Sequence, residues 1–221
     1  MHIEKNSKMS NAKEVFDLYA KYGEEIKRTL ANFKQVPEKD YFYELCYCLL
    51  TPANKAENAL IVVEYLKEKN FFENGFKPTK VLRGSVFDNR PKKVYIRFHN
   101  QKAERLLRAR EDWAKICSIL HQSIEVSKKR DYLVETVYGF GYKEASHFLR
   151  NIGSEGVAVL DRHILRNLQN FGVLDSKINV ATRKNYHFVE KLFFEFAKSI
   201  GIPAEELDLL FWAKETGYVL K

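Results

Sequence analysis

Apolar residues recur three and four positions apart along almost the whole chain, and that spacing restricts it to a helical fold. Val15, Leu18, Tyr19, Tyr22, Ile26 and Leu30 form one such stripe within residues 12–31. "YFYELCYCLL", from about Asp40 to Leu50, is apolar nearly all round and reads as a buried helix. A third helix carries Ala59, Ile61, Val62, Tyr65 and Leu66. Further helices fit residues 79–87, 100–120, 131–138, 143–152, 161–170, 180–200 and 203–216, with Pro203 in the first turn of the last. A short piece of strand fits only at "KVYIRF". With five prolines and ten glycines in 221 residues, the chain has little room for long irregular loops. The expected fold is all-α, with 45% hydrophobic residues to fill its core.

Charge points to the partner. The chain carries a net charge of +8, and residues 77–110 hold eleven Lys or Arg against Asp88 and Glu104. Phe87, Tyr95 and Phe98 lie among these basic residues, a pattern that suits nucleic acid better than a membrane surface. No run approaches the roughly 20 apolar residues of a membrane span. The opening "MHIEKNSKMSNAKE" has no apolar stretch for a signal peptide, so a cytoplasmic, nucleoid-associated protein is expected. Cys46, Cys48 and Cys117 show no metal-type spacing and read as reduced thiols, with no metal site among them.

The most informative segment is "DYLVETVYGFGYKEASHFLRNIG", residues 131–153. Asp131 is placed to cap a short helix that buries Leu133, Val134 and Val137. Gly139 and Gly141 interrupt it, and a second helix from Lys143 buries Ala145, Phe148, Leu149 and Ile152. This is a helix–hairpin–helix. Its glycines admit backbone angles closed to other residues, and its outward N–H groups suit a DNA phosphate without reading sequence. Gly139 as a mere helix C-cap is the bland alternative.

"GFGYKEASHFLRNIG" followed by "AVLDRHILRNL" resembles the helix–hairpin–helix superfamily of DNA base-excision glycosylases. "RFHNQKA", "LDRHILRNL" and the ending "LDLLFWAKETGYVLK" are most similar to its compact 8-oxoguanine DNA glycosylase/lyase family, known from archaea and thermophilic bacteria. The likeness runs over about residues 40–221. It implies two helical subdomains with a DNA-binding cleft between them. Residues 40–150 would form one, ending in the hairpin motif at 131–152, and residues 1–39 with 151–221 the other.

The resemblance also implies roles. Lys143 and Asp161, eighteen residues apart, fall on the catalytic lysine and aspartate of the bifunctional members. Cleaving an N-glycosidic bond builds positive charge on the sugar, which a carboxylate at Asp161 would stabilise. Lys143 would attack C1′ and form a Schiff base, opening β-elimination of the strand. An ordinary lysine is less than about 0.1% neutral at pH 7, so such a nucleophile needs a partly apolar cleft. Asp161 as a plain N-cap and Lys143 as a phosphate contact are the alternatives.

Phe98 matches an apolar wedge, or else anchors the next helix in the core. His99 and Asn100 would meet phosphate or the opposite base. The plug that fills the gap left by the flipped base falls at Ala53 or Asn54, with Asn54 the candidate. Trp212 would stack on the extruded base and Lys221, at the C-terminus, would help to recognise it. The implied partner is double-stranded DNA containing 8-oxoguanine, bound by a monomer. Three cysteines exclude the superfamily's iron–sulfur cluster, and a monovalent cation at the hairpin is the one cofactor left open. Two competing functions are a related glycosylase for another lesion and a non-enzymatic DNA-binding module.

Overall fold

The computed structural model describes the backbone of residues 2–87, 93–174 and 178–219, with side chains from Lys13 onward. Every regular element among them is helical. The chain divides into two compact units, Pro37–Phe148 and residues 1–36 with 149–221.

In the unit Pro37–Phe148, a 3-10 turn (Glu38–Asp40) leads into α2 (Tyr41–Leu50), which follows the N-terminal helix α1 (His2–Lys34) in the chain. Eight of the ten α2 residues are buried, which is why its sequence shows no polar face. Around it come α3 (Ala56–Glu68), the short α4 (Phe71–Asn74) and α5 (Thr79–Arg83), then α6 (His99–Glu111) and α7 (Trp113–Leu120). Helix α5 ends at Gly84, whose φ of +88° turns the chain out of the helix before residue 87. The expected helix over 100–120 is two helices, broken at Asp112 with φ −87° and ψ 4°. No Gly or Pro marks this break; Asp112 holds the next turn through Lys115 instead. "KVYIRF" is extended from Lys93 but pairs with no strand among the described residues: Ile96 N–H bonds only Leu82 O, at 2.9 Å.

Helices α8 (Val126–Thr136) and α9 (Tyr142–Asn151) form the hairpin motif. Asp131 does not cap α8. It is buried in mid-helix, five residues past the actual start at Val126. Beside it Arg130 is buried too, and its Nη1 donates to Ser146 Oγ on α9 at 3.2 Å. Arg130 thus has a tertiary partner on α9 that local spacing does not reveal. This bond ties the two hairpin helices together.

The other unit packs α1 against α12 (Ala204–Thr216), with α10 (Arg162–Asn170) and α11 (Arg183–Ile200) beside them. Tyr19 Oη donates to Glu206 at 2.6 Å, and that carboxylate pushes the tyrosine pKa up to about 12. Tyr22 reaches the carbonyl of Gly217 at the end of α12. Pro203 is the N-cap of α12, where its missing N–H leaves nothing unpaired. The units meet in the chain within α9, between Phe148 and Leu149.

Candidate active site and nucleic-acid interface

In the unit Pro37–Phe148, the hairpin turn is built by burial on one side and exposure on the other. Val137 and Phe140 point inward, Phe140 lying 6.2 Å from the Phe148 ring, while Tyr138 is exposed under the Arg108 guanidinium at 4.1 Å. Gly139 has φ +95°, and a Cβ there would collide with the Arg105 side chain of α6. Gly141 has no such backbone requirement. What it needs is space, since a Cβ would sit 3.1 Å from Glu144 Oε2. Only one of the two glycines is thus demanded by its dihedral angle. Lys143, in the first turn of α9, keeps 28% of its side chain exposed and lies 3.9 Å from Glu144 Oε1.

Two further turns belong to this unit. Ala53 and Phe98 both adopt left-handed backbone, each with φ +58°, a conformation that costs a residue with a side chain about 1 kcal/mol or more. Phe98 is 58% exposed, so it is not a core anchor. Arg97 lies over its ring at 5.7 Å. His99 packs edge-on against Tyr95 and buries an Nδ1 that has no hydrogen-bond partner; Asn100 is exposed.

Asn54 is engaged within the protein. Its Oδ1 accepts the Arg97 N–H at 2.7 Å and its Nδ2 donates to the carbonyls of Leu50 and Pro52. This is a strut between two turns that engages both ends of the amide. Ala53 sits exposed at the tip beside it.

Lys102 escaped the sequence reading. It is 1% exposed, and its Nζ donates to Leu50 O and Pro52 O at 2.7 and 2.6 Å, finishing the C-terminal end of α2. Burial lowers its pKa to about 8; Arg105, Lys143 and Arg97 push the same way and Glu144 opposes them. Arg110 likewise turns inward, to the carbonyls of Phe72 and Glu73. The basic segment is therefore not one solvated face: Lys102 and Arg110 hold turns in place, and Phe87 is core. No local pattern distinguishes these cations from their exposed neighbours.

In the other unit, Asp161 is the N-cap of α10. One oxygen, Oδ1, accepts the N–H groups of His163 and Ile164 at 2.8 and 3.0 Å. The buried segment Val157–Leu160 delivers it there. Ala158 N–H donates to Glu190 at 2.8 Å, and Tyr186 Oη bonds both Ala158 O and Leu160 N–H. Asp161 also acts electrostatically on Asp208, whose carboxyl burial pushes up to about 6 against the opposing pull of Arg150, 3.0 Å away.

Trp212 lies edge-on to His163, ring centroids 5.5 Å apart at 88°, and its buried Nε1–H has no hydrogen-bond partner. His163 Nδ1 is 3.5 Å from Glu215, which also pairs with Arg166. Lys221 lies outside the described residues. Among the described residues, no three His, Cys, Asp or Glu converge as a metal site.

A family model described as 8-oxoguanine DNA glycosylase matches residues 25–202. The chain belongs to the 8-oxoguanine DNA glycosylase family. An 8-oxoguanine DNA glycosylase/AP lyase of Fusobacterium nucleatum is 36% identical over 94% of this chain and 96% of that protein. One from Methanocaldococcus jannaschii is 32% identical over the full length of both. Among solved structures, the M. jannaschii 8-oxoguanine glycosylase/lyase in complex with a 15mer DNA containing 8-oxoguanine matches with a TM-score of 0.81. It is 29% identical and covers 95% of this chain and 99% of that one. The Thermotoga maritima 8-oxoguanine DNA glycosylase matches at 0.82 with 27% identity, covering 97% of this chain and all of that one. The all-α helix–hairpin–helix fold is that of this family. No helix among the described residues is long and apolar enough to cross a membrane.

Proposed function

We propose that this chain excises 8-oxoguanine from double-stranded DNA and then cleaves the strand at the resulting abasic site. The observation that carries the reading is the pair Lys143 and Asp161, each fixed at a helix start in a chain of this family. The Lys143 amine attacks C1′ while the N-glycosidic bond breaks and its electron pair leaves with the base. Positive charge that builds on the sugar is stabilised by the Asp161 carboxylate. Its Oδ1 is held by the helix, and Oδ2 makes no hydrogen bond among the described residues. Loss of a proton from the attached nitrogen and opening of the C1′–O4′ bond, with O4′ taking up a proton, give the Schiff base. This acidifies C2′, and loss of that proton expels the 3′ oxygen by β-elimination.

The remaining roles extend the same reading. The hairpin N–H groups of Gly139, Gly141 and their neighbours grip a phosphate of the lesion strand. Phe98, exposed on a strained turn, wedges the stack open, with His99 and Asn100 beside it. Trp212 stacks on the extruded base and Lys221 helps to recognise it. These steps use only the chain's own side chains, and three cysteines cannot supply four thiolates to a cluster. The hairpin carbonyls of Val137 and Gly141 each accept one backbone N–H, which leaves a lone pair apiece for a monovalent cation. The protein works as a monomer in the cytoplasm.

Borohydride trapping on an 8-oxoguanine duplex tests the proposal. Wild-type protein should cross-link and Lys143→Gln should not. Equal cross-linking by the two proteins would eliminate Lys143 as the nucleophile.

A further inference from the structure

The Gly141 N–H, assigned above to a DNA phosphate, already has an anionic partner. Glu144 Oε2 accepts it at 3.1 Å, while Oε1 of the same carboxylate stands 3.9 Å from the Lys143 ammonium. Only 18% of the Glu144 side chain is exposed, so this is a seated group. A carboxylate and a phosphate diester both present anionic oxygens, and N–H groups at a helix start accept either.

Helix capping accounts for part of the arrangement. An acid in the first turn suits the helix dipole, and its return to a preceding N–H resembles a capping box. A glutamine would make the same bond without charge. A negative charge at this point opposes a polyanion that the net charge of +8 attracts. The carboxylate also reaches Lys102 electrostatically, so it serves as the local counter-ion for two lysines, Lys102 and Lys143.

We propose that Glu144 is an intramolecular stand-in for the DNA phosphate: in the free protein it fills the hairpin's anion site and holds the Lys143 ammonium, and the docking phosphate displaces it. Binding DNA thereby frees the nucleophile from its carboxylate neighbour. The inference rests on the reading that the hairpin grips a phosphate.

The test compares wild-type protein with Glu144→Gln, which keeps the acceptor and removes the charge. Affinity for an undamaged duplex is measured by fluorescence anisotropy at fixed low salt, and the Gly141 amide is followed by 15N NMR as duplex is added. Glu144→Gln should bind about fivefold tighter, the scale of one charge beside a phosphate. Equal or weaker binding, with a Gly141 amide that still shifts on DNA, refutes the stand-in and leaves the phosphate grip intact. A Gly141 amide unmoved at saturating duplex removes both. If the variant is unstable, the 13Cδ resonance of Glu144 in wild-type protein decides: it should move on DNA binding, and constancy overturns the proposal.

Discussion

Asn54 Oδ1 and the Arg97 N–H, 43 residues apart in sequence, meet at 2.7 Å and lock two turns whose tips are Ala53 and Phe98. Asn54→Ala leaves the Arg97 N–H without this acceptor and takes a donor from two carbonyls. A loss of about 1 kcal/mol is expected in denaturant unfolding. Because Phe98, the proposed wedge, then rests on a looser turn, excision should fall further than binding, with single-turnover rates reduced more than duplex affinity. A gap-filling role for Asn54 would instead show as altered preference for the base opposite the lesion, with unchanged stability.

Phe98→Gly should move stability and activity in opposite directions. The wild-type residue holds φ +58° with most of its ring in solvent, so glycine relieves strain of about 1 kcal/mol and uncovers little. Excision from duplex should drop at least about tenfold if the ring supports the flipped-out state. Excision from a single strand, which has no stack to open, should be affected less. A core role for Phe98 predicts a lower melting temperature and similar losses on both substrates.

Asp161→Asn retains an oxygen for the His163 and Ile164 N–H groups while removing the charge. Melting should change by less than about 1 kcal/mol, yet excision should be lost by several orders of magnitude. Asp161→Ala should lose both activity and about 1 kcal/mol of cap stabilisation. If Asp161 were a cap alone, the asparagine variant would be active.

The buried Asp208–Arg150 pair makes a signed prediction about pH. Burial raises the Asp208 pKa to about 6 from 3.8 in the unfolded chain. The native state therefore holds this proton more tightly, and the benefit is complete below pH 3.8 and lost as pH rises through 6. Relative to Asp208→Asn, wild-type protein should lose up to about 3 kcal/mol between pH 4 and 7. Thermal melts of both proteins across that range measure it. Asp161→Asn should shrink the slope, because the Asp161 charge helps to raise Asp208.

The features legible in the sequence are those that local spacing encodes. The α9 stripe, the cap at Asp161 and the bond between Gly141 and Glu144 each involve partners within a few residues, so pattern alone reveals them. Asn54 and Lys102 act on groups about 40 to 50 positions away, and nothing near them signals that use. The start of α8 is hidden because Asp131, which looks like a cap by local pattern, lies buried in mid-helix. Asp112 breaks a helix that has neither Gly nor Pro to announce it.

The cap at Asp161 has a consequence for inactivation by heat. The Asp161 carboxylate, proposed to stabilise the sugar cation, is oriented by the His163 and Ile164 N–H groups it caps, and the first turn of a helix is the part that frays most readily. Any loosening of α10 would let the carboxylate rotate away from its reacting position while the core stays folded. Enzymatic activity should therefore fade at temperatures below the global melt, and do so reversibly, because cooling only has to rewind one turn.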